Sequence, residues 1–455
     1  MHNDRSADGK RLRRMVASNP GDRVSWHNLA AVEGDLGRAD ASEAAARRAI
    51  ALGITAPETR LVLARALQAQ RRLDEAERMF GEALALRPVF VEAHRDLAQL
   101  VWMRTADATL ALRQLDAAMR AAPREPGLYL VRSIVLEFVG DLSAALAAAQ
   151  AGMALAPDDL QLLRQAAHLC AAAGNPALAV ILAQRAMSVA PPAAEAQITL
   201  CEALLAAGRH REAEAASAAL VAATPSNQHA VALQATAWRL LGDPRYEELY
   251  DYATRVESQM LEAPPGWASL ASFLEETAVE LDGLHAFKAH PLQQSVRGGG
   301  QLSLQRAELA RPLIAALFRS IEAGVQRHVR RLGPGPDPLR SRNTGKFAIS
   351  GAWSVRLRSG GYHADHVHPR GWISSACYIA LPPGIGGGEG ERPDRAGWLR
   401  LGRPGIVTEP ALPAEHFVRP EAGLLVLFPA YMWHGVEPFA SGERRLSVAF
   451  DVVPA

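Results

Sequence analysis

The sequence predicts a multidomain α + β protein, in which a solenoid of helical repeats precedes a β-sandwich or jelly roll with flanking helices. The chain has 455 residues, which is too long for one ordinary domain. A period of about 34 residues runs through roughly the first 260 residues, and repeats of that length are typical of paired helices. Beyond residue 345 the pattern changes to short runs separated by Gly and Pro, which indicates strands.

The composition is that of a globular protein with balanced charge. Hydrophobic residues make up 49% of the chain, which is enough to bury a core. Lys and Arg total 49 against 48 for Asp and Glu, and this balance argues against a nucleic-acid binder. No run of 18 apolar residues predicts a membrane span, and the charged N-terminus lacks the apolar segment of a secretory signal. Three widely spaced cysteines fit a reducing compartment, so we expect a cytoplasmic protein.

The repeat is visible as marker positions that lie 34 residues apart, with one interval of 35. The markers are Gly37, Arg71, Ala106, Gly140, Gly174, Gly208 and Gly242. A mostly small residue precedes each marker by seven positions, and a proline follows five of the markers by seventeen. A marker glycine can end a helix in the left-handed conformation, and small residues let two helices approach. The proline is expected to open the next unit.

This register resembles the tetratricopeptide repeat (TPR). We place six to seven units in residues 18–262, after an N-terminal tail at residues 1–17. Each unit has one apolar face, which it buries by stacking on its neighbours. The resemblance implies a concave surface that binds a peptide or protein segment. A packing scaffold for the next domain, or a dimerisation surface, is the alternative role.

The second half of the chain begins near Pro264-Pro265-Gly266, where the 34-residue register has stopped. Residues 263–285 are an expected linker helix region, and apolar residues spaced by three or four predict another helix over 304–332. The candidate strands are 347–349, 352–358, 373–381, 405–408, 415–418, 424–428 and 445–452. They place a β-domain in residues 286–455, whose Gly-rich segment 383–397 is expected to be a surface loop or a lid over a site.

Three histidines of the β-domain form a candidate metal site. His366 and His368 are two residues apart, so on a strand both rings point to one face, where they can bind one metal ion. His434 fits as the third ligand because it follows the apolar strand 424–428 and a short turn. The two strands could face each other across a sandwich.

The surroundings of these histidines resemble prolyl-hydroxylase-type oxygenases that depend on Fe(II) and 2-oxoglutarate. The Y-x-x-G-x-x-F-x-x-H-x-D segment of that family has the spacing of Leu357, Gly360, His363, His366 and His368. The run from Gly423 to His434 resembles the second metal strand of the family, and residues 372–382 resemble the strand after the first motif. The resemblance covers roughly residues 285–455. It implies a double-stranded β-helix of the jelly-roll or cupin-like type that uses Fe(II), 2-oxoglutarate and O2.

The resemblance also implies a co-substrate site. Arg445 and Ser447 resemble the R-x-S motif, which binds the distal carboxylate of 2-oxoglutarate in that family. Arg444 is a rival to Arg445 for this carboxylate. A tyrosine at the place of Tyr378 touches the co-substrate in some relatives, and core packing is its alternative role. The candidates for a substrate pocket are Arg356, Trp372 and Trp433.

One position departs from the family pattern, since His368 stands where the family has aspartate. Three nitrogen ligands still bind Fe(II), but they also suit zinc, copper or nickel. His363 and Asp365 offer a second register with a literal H-x-D pattern, although the glycine spacing and the downstream strand favour His366 and His368. In the favoured register Asp365 points away from the ligands and could be a hydrogen-bond acceptor behind them, and His363 either does the same or packs in the strand.

Together these features predict an Fe(II)- and 2-oxoglutarate-dependent dioxygenase that hydroxylates a peptide or protein held partly by the TPR repeats. TPR arrays fused to such domains occur, for instance, in aspartyl/asparaginyl β-hydroxylases. One alternative is a three-His metal dioxygenase that does not use 2-oxoglutarate, and the retained Arg445 and Ser447 argue against it. The other alternative is a TPR adaptor whose β-domain has lost turnover because His368 replaces the aspartate.

Overall fold

The computed structural model of the chain describes residues 2–383, 385 and 395–455. It divides into two compact units, Met1–Asp141 and Leu142–Ala455. The division falls within the helical repeats and not at their end. Of the segment expected to be a loop or a lid, residues 384 and 386–394 lie outside the described residues. None of the helices in the described ranges is long and apolar enough to cross a membrane.

The first unit is built from helices. They are α1 (His2–Ser18), α2 (Arg23–Asp35), α3 (Ala39–Ala51), α4 (Pro57–Ala69), α5 (Leu73–Leu86), α6 (Val91–Thr105), α7 (Ala108–Ala121) and α8 (Pro126–Val139). Helix α1 occupies the segment that was expected to be a tail. From α2 onward the helices alternate as the two members of TPR-like repeats.

The second unit continues the repeats and then changes to a sheet. Its repeat helices are α9 (Leu142–Leu155), α10 (Leu160–Ala172), α11 (Pro176–Val189), α12 (Ala194–Ala206), α13 (His210–Ala223) and α14 (Gln228–Leu241). Two short helices follow, α15 (Arg245–Leu249) and α16 (Tyr252–Arg255). The predicted helical repeat is therefore confirmed through α14.

The turn chemistry of the repeats follows from the backbone. All seven marker residues have positive φ angles, between 59° and 96°, as a left-handed helix stop requires. Arg71 and Ala106 adopt this conformation although they carry side chains. The prolines differ from the expectation, because each lies in the turn after the second helix of a repeat and not at the first position of the next helix. Pro88, for example, lies between the end of α5 at Leu86 and the start of α6 at Val91. Proline is common there because it cannot continue the preceding helix.

The C-terminal part of the second unit is a curled antiparallel sheet with flanking helices. Its strands are β1 (Glu257–Met260), β2 (Val296–Ser303), β3 (Phe347–His366), β4 (Ile373–Ala380), β5 (Leu399–Leu401), β6 (His416–Val418), β7 (Leu424–Pro429), β8 (His434–Val436) and β9 (Arg445–Pro454). The helices are α17 (Leu270–Gly283), α18 (Arg306–Leu309) and α19 (Pro312–Leu332). α17 packs on β4, and α19 packs on β7.

The sheet curls because one long strand belongs to both of its sides. The strand order is β1-β7-β4-β9-β3-β8-β5-β6, and β2 pairs with β3. The first part of β3 pairs with β9, and its last residues pair with β8. This arrangement is a jelly roll, as predicted. The buried run Leu425–Phe428 of β7 and the apolar face of α19, including Leu317 and Ile321, form much of its core.

Strand β1 lies within residues 18–262, the segment expected to contain only repeats. It pairs with β7 from Glu257 opposite Leu427 to Met260 opposite Leu424. The 34-residue register ends with α14, and the residues of β1 alternate between partly buried and exposed, as an edge strand does. The chain therefore enters the sheet earlier than the repeat pattern suggested.

Candidate active site

The antiparallel pairing of β3 and β8 brings two of the predicted metal ligands together. His366 at the end of β3 is the register partner of His434 at the start of β8. Directly opposed residues on one face of a sheet have neighbouring side chains. The centroids of the two imidazole rings are 4.2 Å apart.

His368 completes the cluster from the turn after β3. Its Nε2 atom is 3.2 Å from Nε2 of His366, and its ring centroid is 5.1 Å from that of His434. One ligand atom from each of the three histidines lies within 4.8 Å of the others. The sequence prediction that these three residues meet agrees with this geometry, and the cluster can hold one metal ion.

The outer nitrogens of the three rings are already engaged. His366 Nδ1 is 2.9 Å from the carbonyl oxygen of Ala364, and His434 Nδ1 is 2.9 Å from that of Met432. His368 Nδ1 is 2.6 Å from Oδ1 of Asp451. Because an acceptor faces each Nδ1, the proton belongs on that nitrogen, and the lone pair of Nε2 points into the cluster. This is the tautomer that a metal ion needs.

Burial keeps the imidazoles of His363, His366 and His434 neutral. It lowers the pKa of His366 to about 3, with the nearby His368 as the second cause. Burial also holds the pKa of His434 and of His363 well below the usual value for histidine, and the neighbouring His366 adds to the effect. Neutral imidazoles with free lone pairs bind divalent metals, whereas protonated ones do not.

Asp365 does not belong to the cluster, so the literal H-x-D register is not the one that the fold uses. Its carboxylate binds Nε of Arg400 at 2.8 Å and Nε of Arg403 at 2.6 Å, on the other face of the strand. It is also not the acceptor behind the metal ligands, because both of its oxygens are used by arginines. His363 stacks on His366 with 6.2 Å between ring centroids and bonds Ser295 Oγ through Nδ1 at 3.1 Å.

The predicted co-substrate residues lie on β9 and β4 beside the histidines. The side chain of Arg445 is fully buried, and no carboxylate of the described residues lies within ion-pair distance of it. Its Nε atom and the hydroxyl of Tyr378 are buried without a hydrogen-bond partner. The guanidinium carbon lies 5.0 Å from the centroid of the Tyr378 ring. Ser447 is the register partner of both Tyr378 and Val355.

An isolated buried cation is costly unless an anion binds it. Burial lowers the pKa of the Arg445 guanidinium, which expresses the same cost. A carboxylate of a small ligand would remove this cost and would find the free Nε and the Tyr378 hydroxyl as donors. The residues present therefore fit the distal carboxylate of 2-oxoglutarate. Arg444 does not compete for it, because it is half-exposed and binds Asp282 at 3.0 Å.

One cavity of about 360 Å³ joins the two sets of residues. Its wall includes His363, Trp353, Gln301, Asp451, the three clustered histidines, Arg445 and Ser447. A ligand bound to Arg445 could therefore reach a metal ion held by the histidines. This arrangement is suited to metal-dependent chemistry on a small dicarboxylate and a second substrate.

The three candidates for a substrate pocket lie away from this cavity. Arg356 points to the opposite face of β3, where it binds Asp282 at 3.2 Å. Trp372 is fully buried and donates from Nε1 to the carbonyl oxygen of Leu339 at 2.7 Å. Trp433 donates from Nε1 to Oγ1 of Thr236 on α14 at 2.9 Å. Strand alternation and the turn before β8 direct these side chains away from the cavity, whereas Trp353 lines it.

Asp451 contacts the histidine cluster and lines the cavity, and sequence reasoning missed it. It lies six residues after Arg445 and four after Ser447 on β9, and both separations are even, so all three side chains share one face of the strand. This alternation was a usable signal, since extending the R-x-S motif by two further steps leads to Asp451. The loop residues Gln293, Gln294 and Ser295 also line the cavity, and no motif indicated them.

Comparison with known families agrees with this geometry. Residues 351–451 match a family model described as "Putative 2OG-Fe(II) oxygenase". The three clustered histidines, Arg445 and Ser447 all lie in this range. The match confirms the resemblance drawn from the motifs. The chain joins TPR-like repeats to a C-terminal domain that matches this oxygenase family.

Two solved structures are similar to parts of the chain. One, titled "Crystal structure of APC/C hetero-tetramer Cut9-Hcn1", is 14% identical with a TM-score of 0.37, and the match covers 52% of this chain and 46% of that one. The other, titled "Crystal structure of YrrB: a TPR protein with an unusual peptide-binding site", is 18% identical with a TM-score of 0.27, and the match covers 41% and 95%. The chain thus spans under half the length of the first structure. No curated protein matches the chain.

Proposed function

We propose that the C-terminal domain is an Fe(II)- and 2-oxoglutarate-dependent dioxygenase that hydroxylates a peptide or protein side chain. The observation that carries the proposal is the shared cavity. Three imidazoles bring their ring nitrogens together on one side, and the buried Arg445, which has no carboxylate partner among the described residues, lies on the same cavity wall. The three histidines alone would be compatible with many metal-dependent chemistries, and Arg445 adds the requirement for an anionic ligand.

In this proposal His366, His368 and His434 hold the iron through Nε2. Arg445 and Ser447 bind the distal carboxylate of 2-oxoglutarate, and the Tyr378 hydroxyl is a further donor. Bound iron and 2-oxoglutarate supply the oxidative chemistry, in which decarboxylation of the co-substrate to succinate is coupled to hydroxylation. The chain orients the reactants and excludes water, and both tasks are favoured by a buried site.

The unpaired arginine separates this proposal from its rivals. A three-His dioxygenase that does not use 2-oxoglutarate has no need for a buried guanidinium that lacks a carboxylate partner. An adaptor with a degenerate site would gain stability by losing it. The TPR-like repeats support a peptide or protein substrate, because such arrays present extended surfaces. We also propose a cytoplasmic location, since the three cysteines are buried free thiols.

We further propose that the oxygenase domain starts before residue 286, the boundary expected from the sequence. Strand β1 pairs with β7, and α17 packs on β4, so residues from Glu257 onward contribute to the jelly roll. The repeats would then end with α14 or with the short helices that follow it.

Succinate formation by the purified chain tests the proposed activity. The protein is loaded anaerobically with Fe(II), then exposed to O2 with 2-oxoglutarate and ascorbate, with and without peptides from a cell extract. We expect succinate to form, to increase with peptides, and to be lost in His434→Ala and Arg445→Ala. Arg444→Ala is the matched control and should retain activity. A folded, metal-binding protein that makes no succinate under any of these conditions would contradict the proposal.

A further inference from the structure

Asp451 holds one of the three clustered histidines by a hydrogen bond to its carboxylate. Its Oδ1 atom lies 2.6 Å from Nδ1 of His368, and the side chains of Asp451 and His368 are 14% and 20% exposed. Ser374 donates to the same oxygen at 3.4 Å. No arginine or lysine of the described residues lies within ion-pair distance of Asp451. Its charge is therefore directed to His368.

The other two histidines have neutral acceptors. The Nδ1 atoms of His366 and His434 both face backbone carbonyl oxygens, two residues earlier in the chain. The anionic acceptor thus stands behind the residue that replaces the aspartate of the family motif. A carboxylate behind a ligating histidine fixes the tautomer and ring orientation and increases the basicity of the ligand.

The charges of the two arrangements can be compared directly. Two histidines and one carboxylate give a divalent metal site a net charge of +1, whereas three neutral histidines give +2. When Asp451 is counted with His368, the three-His site returns to +1. The carboxylate would be separated from the metal by the His368 ring, but the total charge around the metal would be the same.

We propose that Asp451 acts through His368 as a positioning residue and supplies the negative charge that a carboxylate ligand would otherwise bring. The proposal rests on the metal site of the proposed function and not on turnover. β9 then carries both parts of the site, with Arg445 and Ser447 for the co-substrate and Asp451 for the metal, on one face of a single strand.

Metal affinity of the full-length chain tests this role. Co(II) and Zn(II) are the probe metals, with affinity measured by competition against a chromophoric chelator and the ligand field of Co(II) read from its absorption bands. We expect Asp451→Asn to weaken binding about 10–100-fold and to change the Co(II) bands. Asp337→Asn is the matched control, because Asp337 is an equally buried carboxylate that binds Arg255 and Arg340 outside the cavity.

The same substitution in a second variant separates an effect on metal binding from an effect on folding. In His368→Asp the carboxylate stands at the ligand position itself, and Asp451 loses its donor and is a second negative charge nearby. Asp451→Asn should therefore weaken metal binding much less in the His368→Asp background than in the parent, because Asp451 no longer orients a ligand there. A residue that only supports the fold would cause the same loss in both backgrounds.

The outcomes separate this inference from the proposed activity. Asp451→Asn within about twofold of the parent affinity, or an equal loss of affinity in both backgrounds, would overturn the role of Asp451 even if the parent makes succinate. If Co(II) binding depends on Asp451 while no succinate forms, the inference stands and the proposed activity fails. A parent chain that binds neither metal would contradict both.

Discussion

Replacing Arg445 by methionine is expected to stabilise the ligand-free protein and to abolish its response to 2-oxoglutarate. The guanidinium is buried, has no carboxylate partner among the described residues, and leaves Nε without a hydrogen bond. Methionine is a shorter, flexible apolar side chain and has no charge to desolvate. A buried cation that lowers stability in the empty protein is useful only if an anion occupies the site during function.

The magnitudes follow from burial and binding linkage. Replacing a buried ion pair by apolar residues of similar volume is often neutral or stabilises by about 1–4 kcal/mol, and we apply that range to a buried cation that has no carboxylate partner. Because Arg445 lines a cavity that water can enter, we take the lower end, and about 1 kcal/mol raises the melting temperature of a domain of this size by roughly 2–4 °C. In the parent, 2-oxoglutarate at about 100 times its Kd adds about 2.7 kcal/mol of stability. The variant should lose this increment.

The assay is thermal unfolding of the Zn(II)-loaded chain with and without 2-oxoglutarate, since zinc supports binding without turnover. Arg444→Met is the matched control, because Arg444 is half-exposed and paired with Asp282, and it should change both curves by less than about 0.5 kcal/mol. The reasoning is refuted if Arg445→Met lowers the melting temperature without ligand, or if 2-oxoglutarate still stabilises the variant as it does the parent.

Two further predictions concern the fold and the histidines. A chain that starts at residue 286 should aggregate or remain unfolded, because it lacks β1 and α17, whereas residues 142–455 should give a cooperative unfolding transition. Circular dichroism and size-exclusion chromatography distinguish the two results. A folded 286–455 fragment would contradict the assignment of β1 to the sheet. The metal-free protein should lose stability as pH falls below about 6.5, the unfolded pKa of histidine, because the folded pKa of His366 is lowered to about 3 and protons bind the unfolded state first. Each such histidine adds up to about 1.4 kcal/mol per pH unit to the slope of the free energy of unfolding against pH between those values. Urea unfolding across pH 7.5–5 should therefore show a shallower slope in His366→Gln. An unchanged slope would contradict the burial of this ring.

The repeats were predictable because a solenoid repeats its local rules. The 34-residue spacing identified the left-handed helix stops, and it did so even at Arg71 and Ala106, where the residue type alone gives no such signal. The same periodicity could not reveal β1, because its four residues are a strand only through their pairing with β7. Nor did the charged N-terminal segment carry a marker that indicated helix α1.

The candidate site was predictable where its signal lies in local spacing. His366 and His368 share a strand face by alternation, and Arg445 and Ser447 follow a short motif. The direction of a side chain relative to the cavity is a tertiary property. Trp433 follows the turn after β7, next to a clustered histidine, but its ring contacts α14. The sequence of residues 424–436 carries no information about that distant helix.

The contacts of α14 bear on how the repeats and the oxygenase domain are related. The N–H of Gln228 at the start of this helix donates to the carbonyl oxygen of Pro369, next to His368, at 2.9 Å. Thr236, two turns later, accepts from Trp433, next to His434. One repeat helix thus fixes the neighbours of two clustered histidines that are 66 residues apart in sequence. The last repeat is therefore part of the support of the histidine cluster, and a displacement of α14 would change the surroundings of His368 and His434.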